Sequence, residues 1–124
     1  MESLFDNCYC FKSSNLTSWD VGNVRNMKEM FNRASAFTSE LGSWDVKSVT
    51  NMEATFKDAY SFTSTLDDWN VTSVTNMDFL FDSASSFTSD LTDWCVEKIS
   101  TEPDHFATDS LLDTSAYPDW DQPC

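Results

Sequence analysis

A chain of 124 residues, 40% apolar and 15% aromatic, is long enough for one domain with a sizeable core. Its net charge of −14, from 21 acids against seven lysines and arginines, argues against binding nucleic acid or an anionic membrane surface, because no basic cluster is present. No apolar run reaches the ~18 residues of a membrane span, and Met1–Cys10 carries acids and no basic stretch, so it does not read as a secretory leader as it stands.

From the N-terminus the chain repeats itself every 25 residues. Residues 1–15 read as a partial, capping coil, in which Leu4-Phe5 and Phe11 keep the six-residue spacing of Phe31 and Phe37, with one inserted residue before Leu16. Residues 16–40, 41–65 and 66–90 are full copies, and 91–124 form a degenerate last coil and cap. Trp19, Trp44, Trp69 and Trp94 make one column, each preceded by three from a leucine (Leu16, Leu41, Leu66, Leu91), and Trp120 arrives one residue late. Phe31, Phe56, Phe81 and Phe106 make another column, and Phe37, Phe62, Phe87 and Leu112 a third. Atypical end copies are what a stacked array needs, since its end faces meet water.

Within each copy two elements are expected. Met27, Met30, Phe31 and Ala34 fall at i, i+3, i+4 and i+7, which predicts a helix of about nine residues, with Asn26 as its N-cap and Glu29 completing a capping box. Trp44-Asp45-Val46 alternates apolar and polar, which predicts a very short strand paired in parallel with the same strand of its neighbours. The fold class expected is therefore α/β, a right-handed solenoid of about five ~25-residue coils, each a strand and a short helix.

The W-D-V-x-x-V-x-N-M-x-x-x-F-x-x-A-x-x-F pattern, read at Trp44, Asp45, Val46, Val49, Asn51, Met52, Phe56, Ala59 and Phe62, resembles the repeat of the BspA-like leucine-rich-repeat surface proteins. The resemblance covers roughly residues 4–120, with departures at Asn70 and Cys95 in the Asp45 column and at Glu102 in the Met52 column. It implies a leucine-rich-repeat-like scaffold, display outside the cytoplasm and a role in adhesion or binding, and it transfers no catalytic residue.

The residues with chemistry of their own are few. Cys8, Cys10, Cys95 and Cys124 sit two at each end, and pairing within an end predicts Cys95–Cys124 and, in a tighter loop, Cys8–Cys10. The competing reading of Cys8 is a small buried residue in the Ala34 column. The cysteine spacing does not suit a metal, and only His105 would help. His105 has no nucleophile beside it in sequence and reads as a surface imidazole, so no catalytic residue is assigned. Asp20 stacked on Asp45, and Asp68 on Asp93, read as a solvated outer row before they read as a Ca²⁺ site, because no calcium-loop spacing is present. Thr38-Ser39, Thr63-Ser64 and Thr88-Ser89 make two hydroxyl columns that suit either an ordered ligand, such as ice or a glycan, or hydrogen-bonded turns. The sequons at Asn15 and Asn70 are no more than chance supplies in so Ser- and Thr-rich a chain.

The expected function is a non-catalytic protein-interaction or adhesion module outside the cytoplasm (secreted, on the cell surface or in an organelle lumen). It needs no cofactor, and its expected partners are proteins, with a basic surface as the complement to the acidity. The alternatives are a small structural accessory subunit of a larger assembly, membrane-associated or not, and, more weakly, an ice- or glycan-binding surface.

Overall fold

The structure is a computed structural model that describes residues 1–11 and 15–124. The insertion expected before Leu16 falls in a stretch of which 12–14 lie outside the described residues. Among the described residues the regular elements are a single 3₁₀ turn, η1 (Thr114–Ala116), and two isolated parallel bridges, Asn26 with Asn51 and Asn51 with Asn76. The expected α/β solenoid of strand-and-helix coils, with its leucine-rich-repeat character, is thereby overturned: among the described residues no sheet forms, and no helix follows Asn26, Asn51 or Asn76. The repeat encodes a stack of hydrogen-bonded turns.

The reason lies in the backbone of the stretch expected to be helical. Met30, Asn32 and Ala34 donate their N–H groups three residues back, to Met27, Glu29 and Phe31, so each step closes a tight turn. The alternate amides of Met27, Glu29, Phe31 and Arg33 point along the stack instead, to the carbonyls of Asn51, Glu53, Thr55 and Lys57 at 2.8–2.9 Å. A helix would need every amide to bond four residues back. Half of them are committed to the next copy, and the chain makes that exchange by placing Glu29 at φ 55° and Arg33 at φ 59°. Ala54 and Asp58, Phe79 and Ser83, and His105 and Asp109 repeat the left-handed pair in each later copy.

Such φ values cost a non-glycine residue roughly 1–2 kcal/mol each. The amides of Met52, Ala54, Phe56 and Asp58 recover hydrogen bonds to Asn76, Asp78, Leu80 and Asp82, in a ladder whose apolar side is shut away from water. Neither glycine supplies these conformations. Gly42 is needed for space: a Cβ there would lie 2.6 Å from the carbonyl oxygen of Thr65.

The expected strand fails for a different reason. Trp44 and Val49 each donate an N–H three residues back, to Leu41 and Val46, so Trp44-Asp45-Val46 is a short span between two turns. Side chains tie the copies together here. The indole Nε1 of Trp44 donates to the Leu16 carbonyl (2.8 Å), that of Trp69 to Leu41 (2.9 Å) and that of Trp94 to Leu66 (2.9 Å).

The interior is two files of stacked phenylalanine rings. Phe5, Phe31, Phe56 and Phe81 follow one another with centroids 5.4, 5.6 and 5.7 Å apart, and Phe11, Phe37, Phe62 and Phe87 run beside them at 5.7 Å. Phe31 through Phe87 in both files are fully buried, each contributing roughly 1.5–3 kcal/mol of transfer free energy. Phe106 ends the first file edge-on to Phe81 and is covered by Tyr117 and Trp120, with centroids 5.2 and 5.0 Å away. Trp19, in the first full copy, is 37% exposed, whereas Trp44, Trp69 and Trp94 are buried.

The last copy is shifted by one residue. Phe79 donates to the Asp104 carbonyl and Phe81 to that of Phe106, a separation of 25, where the two preceding boundaries use 24. With the left-handed His105 matching Phe79, Phe106 takes the place of Leu80, and the buried Pro103 takes that of Met77. By backbone register Phe106 therefore leaves the column of Phe31, Phe56 and Phe81 to which its sequence spacing points.

Candidate functional site

Asp20, Asp45 and Asn70 occupy one outer column, and each accepts the N–H two residues ahead, from Gly22, Lys47 and Thr72 at 3.1–3.2 Å. Asn15 and Asp90 do the same for Thr17 and Thr92, and the Thr17 hydroxyl closes on the Asn15 side chain as well. These acids and amides build turns. The Lys47 ammonium, 2.8 Å from Asp45, holds the Asp45 carboxyl below its usual range, and the Thr92 N–H does so for Asp90. Asp45 is thus engaged by Lys47 of its own copy. Asp67, Asp68 and Asp93 are exposed.

The two hydroxyl columns divide. Thr38, Thr63 and Thr88 are exposed at successive copies. Ser64 is completely buried, and its oxygen accepts the Leu41 N–H at 2.8 Å, while Ser89 accepts the Leu66 N–H at 2.9 Å. The serine column is an inter-copy fastening, leaving only the threonines facing water.

Cys95 and Cys124 are joined in a disulfide, with Cα atoms 5.7 Å apart, which pins the C-terminal tail beside the last tryptophan of the repeat. Cys8 is half-buried and Cys10 exposed, and both are free thiols. Glu97 lies by the disulfide, its carboxylate within 4.8 Å of both sulfurs. With the sulfurs bonded to each other, a single carboxylate is left, which is not a metal-binding set. His105 is exposed, stacks its ring on Phe79 at 5.1 Å and meets the Thr108 hydroxyl at 3.3 Å through Nδ1.

Charge is matched from copy to copy along the ribbon of turns. Lys28 pairs with Glu53 (3.3 Å), Arg33 with Asp58 (3.9 Å) and Lys57 with Asp82 (2.7 Å). The Glu53 hydrogen bond raises the Lys28 pKa. Lys28–Glu53 and Arg33–Asp58 are partly open to water, where such pairs contribute about 0–1 kcal/mol, whereas Asp82 is buried beneath Lys57. The only signal of these pairs in the sequence is opposite charge at a separation of one copy.

A cleft of about 440 Å³ lies between the third full copy and the last one. Thr75, Asn76, Met77 and Asp78 form one wall, and Lys98 through Asp104 the other. Its carboxylates are Asp78, Glu102 and Asp104, and its cation is Lys98. Asp78 accepts the Asp104 N–H at 3.0 Å and so fixes one end. The sequence marks this place by Thr101 and Glu102, which stand 25 residues after Asn76-Met77 and depart from that pair.

One family model matches the chain, over residues 1–120, and its description is Mycoplasma protein of unknown function, DUF285. No curated protein and no solved structure matches.

Proposed function

Since the chain belongs to the DUF285 family of proteins of unknown function, we propose from its own geometry that it is a non-catalytic interaction module whose outer face recognises another protein. The observation that carries this reading is the division of labour between columns. The repeated Trp, Leu, Phe and Ser residues are consumed in fastening one copy to the next. The residues that vary between copies, such as Asp45 against Asn70 and Glu40 against Thr65 and Asp90, are exposed. A scaffold that keeps its interior constant and varies its surface suits recognition by shape and charge, and the excess of acid favours a basic counterpart.

The same reading assigns the protein to a compartment outside the cytoplasm, as the resemblance to BspA-like surface proteins implies. The Cys95–Cys124 disulfide supports that assignment, since such bonds persist in oxidising compartments. Chemical cross-linking of cells, followed by size-exclusion chromatography of the native protein, tests it. An adhesion or binding module is released as a monomer that rebinds a separable partner. An accessory subunit instead stays within a larger particle of fixed composition, and that outcome replaces the first reading with the second.

A further inference from the structure

Two rungs seal each boundary between full copies at the start of the ribbon of turns. Between the first two, Thr50 donates to the Arg25 carbonyl (2.8 Å) and Met27 to that of Asn51 (2.9 Å). Between the next two, Thr75 donates to the Thr50 carbonyl (2.9 Å) and Met52 to that of Asn76 (2.9 Å). At the boundary after Asn76 neither is made.

The Thr75 carbonyl, the Met77 N–H, the Ser100 N–H and the Glu102 carbonyl, which would form these rungs, are all without a hydrogen-bond partner among the described residues. All four residues line the 440 Å³ cleft. The cause is local. The backbone gains one residue between Ile99, which matches Val74, and Pro103, which matches Met77, so the two walls separate there and rejoin where Phe79 bonds Asp104 at 2.8 Å.

Building on the interaction-module reading, we propose that this cleft takes a short extended segment of a basic partner protein, which supplies the missing rungs. An extended chain presents N–H and C=O groups alternately along each edge. Each wall offers one acceptor and one donor: Thr75 C=O and Met77 N–H on one side, Ser100 N–H and Glu102 C=O on the other. The mode is strand addition, in which main-chain bonds supply affinity and side-chain sites supply specificity. Specificity here is for cations, because Asp78, Glu102 and Asp104 face a single lysine, Lys98, in a chain of net charge −14. Lysine or arginine at alternate positions of the segment meets these carboxylates, and an acidic segment is repelled.

The test uses the full, oxidised chain, isotopically labelled for amide NMR, and the peptide acetyl-Val-Arg-Val-Arg-Val-amide. Saturable binding is expected, with the largest shifts and new exchange protection at the Met77 and Ser100 amides. Binding should weaken at least tenfold when alternate peptide nitrogens are methylated, and again with Glu102→Lys, an exposed substitution that leaves the core alone. Shifts spread evenly over the acidic face, equal binding of the Val-Glu-Val-Glu-Val counterpart, or the same shifts with spermine would each overturn the proposal. A Glu102→Lys chain that keeps full affinity for the partner recovered by cross-linking sinks the cleft and leaves the interaction module standing. If neither the peptide nor any cellular partner binds, both fall.

Discussion

The buried hydroxyl oxygen of Ser64 accepts the backbone N–H of Leu41 at 2.8 Å, twenty-three residues earlier in the chain. Neither group is reached by water: Ser64 and Leu41 are both fully buried. Leaving such a donor without an acceptor costs about 1–3 kcal/mol. Ser64→Ala should therefore lower stability to urea by that amount, while Thr63→Ala at the exposed neighbouring position stays within about 0.5 kcal/mol of the parent. Equal effects of the two substitutions in equilibrium unfolding would show that the fastening is not what holds this corner.

That pair also illustrates what is legible in the sequence. Columns are visible because burial demands the same side chain at each copy, and the Phe31–Phe56–Phe81 and Phe37–Phe62–Phe87 files follow directly from them. The partner of a side-chain oxygen is not visible, so Ser64 and Thr63 look alike until one of them turns inward. The expected helices fail for a related reason. Asn26 does accept an N–H two residues on, from Lys28 at 2.9 Å, as an N-cap would. The same bond also opens a chain of turns, and the choice is made by left-handed residues such as Glu29 and Phe79, whose types give no warning of φ 55° and 59°. In the sequence the cleft is marked only by an oddity in the alignment, Thr101-Glu102 where Asn-Met is expected, whose consequence depends on the backbone register.

Those left-handed positions carry a prediction of their own. Asp109 sits at φ 56° in the last copy and is exposed. A β-branched side chain tolerates that conformation poorly, so Asp109→Val should cost about 1–2 kcal/mol. Asp109→Gly removes the strain but gives the unfolded chain more freedom, offsetting about 0.4–1 kcal/mol of the gain. The order expected in thermal melts is glycine at or above the parent and valine well below it. Valine matching glycine would mean that the position relaxes out of the left-handed region.

The Cys95–Cys124 disulfide closes a loop with a sequence separation of 29. Chain entropy puts its contribution at about 3–4 kcal/mol. Reduction, or Cys95→Ser, should lower the unfolding midpoint accordingly and first free the segment that covers Phe106 with Tyr117 and Trp120. Amide exchange at Leu91, whose N–H bonds the Ala116 carbonyl at 2.9 Å, reports that release. An unchanged midpoint with accelerated exchange at the far N-terminal copy would contradict the assignment.

Acid should destabilise the fold by a route that can be isolated. The Asp45 carboxyl is held below its usual range by the Lys47 ammonium and then the Lys47 N–H, Asp90 by the Thr92 N–H and Asp113 by the Ser115 N–H. A carboxyl whose folded pKa is depressed binds its proton more weakly in the folded state than in the unfolded one. Its stabilisation is therefore complete above the unfolded value, about 3.9 for Asp, and is lost as the pH falls through the lower folded value. Partial neutralisation of a chain at −14 also relieves its self-repulsion, which acts in the opposite sense. Melting temperatures should accordingly hold steady or rise slightly from pH 7 to about 5 and drop below about pH 4. Replacing Asp45, Asp90 and Asp113 by asparagine keeps an oxygen to accept each turn amide, as Asn70 already does for Thr72 at 3.2 Å. The triple variant should therefore fold and lose less stability between about pH 4 and 2.5. An acid limb as steep as that of the parent would show that these three turns are not where the loss arises.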